Sequence, residues 1–309
     1  PFFLIFNFGA AILRSMGDTK RPLYILVIAG IINTLLNLFF VIALKMSVAG
    51  VAVATGIANM VSALLIIRLL CKEKAPFKLH LNKIGVAWSE LRRMLIIGIP
   101  AGLQGMVFSF SNVLLQTAIN GYGSDAIAGS AAALNFEYYC YFVISAFNGA
   151  AISFIGQNYG AGNKDRVRRI YWICLTLSVV CCGALNELFV WQRHFFLSFF
   201  SNDPNVQTYG ATRMDIVLAW QFIASSYEIS ASSLRGMGRS MLPTILTVFG
   251  TCLLRIVWVY VVCPIWHTYD VIMLVYPVSW CITGIMVCTA FYLFARKKLY
   301  IEAATGHKL

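Results

Sequence analysis

The decisive stretch of this sequence runs from Pro22 to Leu44 and reads PLYILVIAGIINTLLNLFFVIAL. It contains no Asp, Glu, Lys or Arg, and it exceeds the roughly 20 residues that an α-helix needs to cross the hydrocarbon core of a bilayer. Further charge-free stretches run from Met46 to Ile67, from Met94 to Ser124 and from Val271 to Ala295. Because several such stretches follow one another, the chain is predicted to cross a membrane many times.

The composition leads to the same class of protein. Apolar residues make up 60% of the chain and charged residues 12%, and the mean hydropathy is +0.77, whereas a soluble domain has roughly 25% charged residues. The net charge of +12 does not indicate a nucleic-acid partner, because the basic residues lie in short joints between apolar segments. Almost all of the nine cysteines lie inside apolar stretches, without C-x-x-C spacing or clustered histidines. Neither a metal nor another cofactor is therefore expected.

Long apolar runs broken by Gly, Pro and basic clusters predict helices. A helix end is expected at 1–14, and complete spans are expected near 22–44, 48–70, 93–120, 126–155, 167–190, 206–234, 243–264 and 269–295. These segments are too long and too continuous for barrel strands of about ten residues, so the prediction is an all-α polytopic membrane protein. Since residue 1 is Pro, with no initiating Met or leader pattern, we expect the sequence to start inside a longer protein.

The 24 Lys and Arg residues are divided unevenly between the two sides of the predicted bundle. Nearly all lie in alternate joints, whereas Lys45, Arg193 and Arg213 lie in the remaining joints and Arg255 lies within a span. By the positive-inside rule, the cytoplasmic parts are predicted to be the joints at 14–21, 71–93, 156–169 and 235–242 and the C-terminus. The expected location is the cell (inner) membrane.

The longest hydrophilic stretch divides the chain into predicted domains. Residues 1–70 are assigned to a first bundle, 71–92 to a cytoplasmic linker, 93–295 to a second bundle and 296–309 to a cytoplasmic tail. Apolar and basic residues alternate between Leu79 and Arg93, a pattern typical of a helix lying in the membrane interface.

An internal repeat relates the two bundles. The segment AAILRSMGDTKRP at 10–22 pairs without a gap with ASSLRGMGRSMLP at 231–243. Gly supplies a left-handed turn in each copy, and Pro opens the next helix where no donor is needed. Both copies fall on the same predicted side of the membrane, which indicates a parallel repeat with an axis along the membrane normal.

These segments, LRSMGDTKRP at 13–22 and LRGMGRSMLP at 234–243, together with GIP at 98–100 and GQNYGAGN at 156–163, resemble the multidrug and toxic compound extrusion (MATE) family over essentially the whole chain. The resemblance implies two pseudo-symmetric helical bundles around a central cavity, with the first bundle incomplete. It places residue 1 late in the family's fourth helix and the C-terminus after its twelfth.

Few ionisable residues fall inside the predicted spans, and each is costly in hydrocarbon, so each marks a candidate pathway or ion pair. The central ones are Glu137, Glu228 and Arg255. At 100° per residue, polar residues form one stripe on each of four segments. The residues selected from these stripes as a substrate and ion pathway are Glu137, Glu228, Arg255, Tyr141, Asn148, Asn112, Gln116 and Gln221.

Structural alternatives accompany each of these assignments. The Asn, Gln and Ser side chains could equally be interhelical hydrogen bonds, and the carboxylates could form a static ion pair with Arg255. Tyr141 belongs to an aromatic cluster that could bind cations through ring faces or pack against lipid. One branch of the family has a Na⁺ site that uses a seventh-helix carboxylate, but this chain has Phe108 and Ser109 there, so that site is not carried over.

The resemblance implies a cation-coupled antiporter that exchanges Na⁺ or H⁺ for cationic or amphipathic drugs and toxic compounds by alternating access. Its expected partners are small organic cations and membrane lipid, and a monomer is expected.

The first alternative is a lipid-linked oligosaccharide flippase of similar two-lobe design, which would need a strongly cationic cavity, whereas Arg255 is the only basic residue predicted deep in a span. The second is a membrane enzyme, which convergent His, Asp or Cys groups would indicate. The four histidines are scattered, so no enzyme activity is expected.

Overall fold

The computed structural model describes residues 1–74 and 77–295, with the backbone alone at Lys83. Throughout this part of the chain the regular structure is helical, which confirms the predicted all-α class. The chain divides into two compact units, Pro1–Ala87 and Trp88–Leu309, and the boundary falls inside the stretch predicted as a linker. The predicted tail at 296–309 lies outside the described residues.

The first unit contains three helices: α1 (Phe2–Ser15), α2 (Lys20–Leu38) and α3 (Ser47–Lys72). A π-helical turn, Phe39–Ala43, continues α2. The core of this unit forms where Phe6 and Leu13 of α1 meet Ile66 and Leu70 of α3. Large apolar side chains on the other faces are exposed, as expected for helices that face lipid.

The second unit contains the remaining helices. They are α4 (Trp88–Asn120), α5 (Ser124–Gly160), α6 (Lys164–Trp191), α7 (Arg193–Ser198), α8 (Pro204–Arg213), α9 (Ala224–Gly236), α10 (Met241–Thr247), α11 (Leu254–Val257) and α12 (Tyr269–Ala295). The large core of this unit includes Leu115 of α4, Phe136 and Ile144 of α5, and Met273 of α12.

Seven segments of the described chain are long and apolar enough to cross a membrane: Lys20–Ala43, Ser47–Lys72, Trp88–Asn120, Ser124–Gly160, Lys164–Trp191, Met241–Val262 and Tyr269–Ala295. The helix predicted near 206–234 is helical along most of its length but is not one continuous α-helix. A π-helical turn, Met214–Leu218, and a 3₁₀ turn, Gln221–Ile223, separate α8 from α9, because the backbone changes its hydrogen-bond register at Ala219 and Trp220.

The predicted interfacial helix between Leu79 and Arg93 does not form as a separate element. The described linker has only one 3₁₀ turn, Leu81–Lys83. Residues from Trp88 onward instead form the first turns of α4, since neither Pro nor Gly interrupts the sequence between Trp88 and Ile97.

The repeated segments adopt the same turn. Gly17 and Gly238 have φ angles of 85° and 78°. In both copies the amide after this Gly donates to the carbonyl five residues earlier. The distance is 3.0 Å from Asp18 N to Leu13 O and 2.9 Å from Arg239 N to Leu234 O. This is the Schellman pattern, in which a left-handed Gly caps the last helical carbonyls. The local geometry therefore supports the repeat read from the sequence.

Candidate functional site

Small residues let two helices of the second unit approach closely beside the candidate site. A Cβ atom on Gly129 of α5 would meet the Val206 carbonyl and would lie 2.8 Å from the Gly210 nitrogen of α8. Close backbone approach of this kind is typical of helix pairs in membranes. It brings the following turns of α5 and α8, which carry Glu137 and Arg213, within reach of each other.

Glu137 and Arg213 form a buried ion pair. Arg213 Nε lies 2.5 Å from Glu137 Oε1, and Arg213 Nη2 lies 3.1 Å from Oε2. Their side chains are only 8% and 2% exposed. Gln221 adds a third link, since its Nε2 donates to the Glu137 carbonyl at 2.9 Å. A two-pronged guanidinium–carboxylate contact of this type is strong and directional.

This pair corrects two expectations. The sequence predicts Arg213 in a joint between spans, but its side chain is buried at the end of α8. The sequence also predicts that Glu137 either lines a pathway or pairs with Arg255, and instead it pairs with Arg213. The sequence signal misled because Arg213 follows a polar stretch, most of which is not a joint but the helix α8, which begins at Pro204 and ends at Arg213.

Arg255 lies in α11 between two π-helical turns, Val248–Leu253 and Trp258–Val262, and it is 1% exposed. Its Nη1 donates to Asn112 Oδ1 at 2.7 Å. Its Cζ lies 5.0 Å from the ring centre of Phe108 and 4.6 Å from that of Tyr276. Within the described residues its Nε has no hydrogen-bond partner. Among the described residues no carboxylate lies within ion-pair distance of this guanidinium.

Tyr276 of α12 links the two buried arginines. Its ring centre lies 5.4 Å from Arg213 Cζ as well as 4.6 Å from Arg255 Cζ. Cation–π contacts offset part of the cost of burying a guanidinium. The two arginines and Glu137 together leave one positive charge in excess in this part of the unit.

Glu228 of α9 lies in a different environment. It lines a pocket of about 220 Å³ together with Tyr141, Gln104, Arg235 and Thr247. Asn148 Nδ2 donates to Glu228 Oε2 at 2.9 Å. In the part of the chain that the structure describes, Glu228 has no ion-pair partner within 4.0 Å. It is therefore a carboxylate with open access to a polar pocket.

Arg235 faces the same pocket without neutralising Glu228 directly. Its Nη2 donates to Gln104 Oε1 at 2.6 Å, and Thr244 Oγ1 donates to the same oxygen at 3.3 Å. Gln104 thus fixes the guanidinium at the wall of the pocket.

The structure separates the predicted pathway residues into groups. Glu137 and Gln221 belong to the buried ion pair, Asn112 and Arg255 to the arginine cluster, and Glu228, Asn148 and Tyr141 to the pocket. Gln116 joins none of them, because it is exposed and its Nε2 donates to Asn120, one turn away on α4.

Several residues from the predicted polar stripes link helices instead. Ser130 bonds to Tyr269 at 2.6 Å, Ser225 accepts from Ser178 at 2.9 Å, and Thr251 bonds to Thr283 at 2.9 Å. These contacts follow the interhelical alternative.

The sequence reading missed Arg213, Arg235, Gln104, Phe108 and Tyr276 as site residues. Arg235 had a detectable signal, because it lies directly after the end of a predicted span and its side chain is long enough to reach the bundle interior. Gln104 had a weaker one, as a polar residue about three turns into the predicted span 93–120. Phe108 and Tyr276 had no such signal in the sequence, because an aromatic residue in a membrane span ordinarily packs in the core or faces lipid.

The helical fold and the ionisable groups within its spans define a polytopic membrane protein with buried charges between its helices. The family model named MatE matches residues 100–261, and the chain belongs to the MATE family of transporters. The model described as "Lipid II flippase MurJ" also matches, over residues 1–123.

Named relatives agree with this assignment, and a solved structure shares the fold. The probable multidrug resistance protein YoeA of Bacillus subtilis is 25% identical over 81% of this chain and 55% of its own length. The probable multidrug resistance protein NorM of Thermotoga maritima is 28% identical over 79% of this chain and 53% of its own length. The crystal structure of the Vibrio cholerae MATE transporter VcmN in its bent form matches with a TM-score of 0.81 at 16% identity, over 96% of this chain and 67% of that one. This chain spans about half the length of these two relatives.

Proposed function

We propose that the full-length transporter exports cationic or amphipathic compounds in exchange for H⁺ or Na⁺. The observation that carries this proposal is Glu228, a carboxylate that lines an accessible pocket and receives a hydrogen bond from Asn148 but no ion pair among the described residues. The names of the two relatives as multidrug resistance proteins support the same class of substrate.

The chemistry of Glu228 follows from its surroundings. An ionised carboxylate in a membrane pocket is stabilised by a proton, a metal cation or an organic cation, and only one of these can occupy it at a time. Competition for one carboxylate couples the two fluxes, provided that the coupling ion and the substrate favour different conformations. Tyr141 supplies an aromatic face beside the carboxylate, which suits an aromatic cation.

The test is transport by the purified full-length protein in proteoliposomes. We expect an imposed H⁺ or Na⁺ gradient to drive accumulation of ethidium against its gradient. Glu228→Gln is expected to reduce this flux to the level of empty liposomes and to abolish its dependence on pH or Na⁺, since an amide cannot exchange a proton or hold a cation. Glu187→Gln is the matched control, because Glu187 is an exposed carboxylate on α6. Wild-type coupled flux in Glu228→Gln contradicts the proposal.

A second candidate, transport of a lipid-linked pyrophosphate, is favoured by Arg255. This guanidinium is buried, lacks a carboxylate partner among the described residues and has a free Nε, and guanidinium groups bind phosphates in a bidentate manner. The family model that matches residues 1–123 is described as a flippase. The same proteoliposomes distinguish the two, because translocation of a lipid-linked pyrophosphate that is indifferent to both ion gradients would replace the antiporter proposal.

A further inference from the structure

A groove between α2 and α3 has basic residues at one end and an apolar floor. Its volume is about 290 Å³. The basic end, where α2 begins and α3 ends, is formed by Arg21, Arg68 and Lys72. The apolar floor further along is lined by Ile28 and Leu65. The groove therefore has two chemically different parts within one unit of the chain.

Helical spacing explains this division. Arg68 and Lys72 are four residues apart on α3, as are Leu65 and Leu69, and residues at that spacing share one helix face. Tyr24 and Ile28 stand in the same relation on α2. Because charged residues lie at the helix ends and apolar residues lie one to two turns inward, the groove changes from cationic to apolar along its length.

Arg21 is held in place by two acidic neighbours. Its guanidinium donates to the carboxylates of Asp18 and Glu73, and the Asp18 carboxylate also accepts from the backbone amides of Lys20 and Arg21, each at 3.2 Å. Partial desolvation raises the pKa of Asp18, but these hydrogen bonds outweigh it and the net pKa is below its usual value. Asp18 therefore stays ionised at neutral pH, and Arg21 is fixed at the rim between two carboxylates, whose combined charge exceeds its own by one.

Arg68 and Lys72 have no such compensation. Both side chains are exposed, and within the described residues neither has an ion-pair partner. Two positive charges thus face the entrance of the groove.

We propose that this groove binds an anionic phospholipid. The headgroup phosphate lies between Arg68 and Lys72, and one acyl chain lies along Ile28 and Leu65. Basic pockets between transmembrane helices recognise anionic headgroups, and Arg offers a phosphate two parallel donors. A free phosphate would use the cationic end alone, whereas a lipid also covers the apolar floor, which is the reason to assign the groove to a lipid.

Binding can be measured by native mass spectrometry of the delipidated full-length protein, with dioleoylphosphatidylglycerol, dioleoylphosphatidylcholine or inorganic phosphate added in turn. We expect the phosphatidylglycerol to bind about tenfold more tightly than the phosphatidylcholine, because each basic residue near the headgroup adds electrostatic attraction. The double variant Arg68→Gln/Lys72→Gln is expected to remove this preference.

The matched control is Arg166→Gln/Arg169→Gln, which removes the same charge from exposed positions on α6; it should retain the preference. A second variant, Ile28→Ala/Leu65→Ala, enlarges the floor and should weaken binding of phosphatidylglycerol while leaving its headgroup contacts intact. Equal affinity for the two lipids, retention of the preference in Arg68→Gln/Lys72→Gln, or full competition by inorganic phosphate would each overturn the proposal. Absence of bound lipid in the wild-type protein, as expected if another protein segment covers the groove, would overturn it as well.

Discussion

At the residue scale, the buried pair of Glu137 and Arg213 has a structural role that Glu228 does not share. Both side chains of the pair are almost inaccessible, so neither can exchange a proton or a ligand without separation of α5 from α8. Glu228 lines an accessible pocket, accepts a hydrogen bond from the neutral Asn148 amide, and shares the pocket with Arg235 without an ion pair among the described residues. Two carboxylates with similar sequence contexts therefore have different expected responses to the same amide substitution.

Glu137→Gln is expected to destabilise the protein strongly. It leaves Arg213 charged and buried, and loss of one partner of a buried pair costs about 3–5 kcal/mol. The double variant Glu137→Gln/Arg213→Met should recover most of the loss, because no unpaired charge remains. The measurement is the thermal unfolding midpoint in detergent, with Glu228→Gln as the comparison, which should change it little. Equal midpoints for the single variant and the wild type would show that Arg213 is compensated elsewhere.

At the element scale, the crossing of α5 and α8 depends on two glycines. A Cβ atom on Gly129 would meet backbone atoms of α8, and one on Gly210 would lie 3.2 Å from the Gly129 carbonyl oxygen of α5. This crossing sets the distance at which Glu137 and Arg213 meet. It therefore connects packing in the membrane to the geometry of the ion pair.

Gly129→Ala is expected to lower the unfolding midpoint, because overpacking at a close contact costs about 1–3 kcal/mol. Gly149→Ala is the matched control on the same helix, since nothing lies within 4 Å of an added Cβ there. Its expected effect is neutral or slightly stabilising, as Ala is the better helix former. A control variant that loses as much stability as Gly129→Ala would show that the cost does not come from the crossing.

At the scale of the whole molecule, the orientation in the membrane is predicted from the distribution of basic residues. α6 is one apolar span, so the turn before it and the segment after α7 must lie on opposite sides. The turn at Asn163 belongs to the basic group of joints, and Asn202 belongs to the other group. Both positions are exposed.

In a cysteine-free background expressed in intact cells, we expect Asn202→Cys to react with a membrane-impermeant maleimide. Asn163→Cys should react only after the cells are made permeable, because Lys- and Arg-rich joints remain in the cytoplasm. Labelling of Asn163→Cys in intact cells would contradict the predicted orientation, and the direction of export assigned from it would have to be reversed.

The local features of the fold could be predicted from the sequence. Charge-free segments longer than a bilayer span identified most helices, since no other backbone arrangement satisfies its hydrogen bonds in lipid. The matching Gly and Pro positions identified the repeated turns, because a left-handed φ favours Gly wherever it occurs. The break between α8 and α9 was missed, because no Pro or Gly lies between Met214 and Ile223 to signal it.

Sequence by itself determined the class of protein, the placement of nearly every span and the short list of costly charges within them, because each depends on residues close together in the chain. Only the tertiary structure decided which charges are paired. Arg213 and Glu137 lie on different helices, as do Arg255 and Asn112, and helical periodicity fixes the face of a residue but not the partner opposite it. For that reason the sequence named Glu137 and Glu228 together, and the packing of α5 against α8 and α9 separated a structural ion pair from an accessible carboxylate.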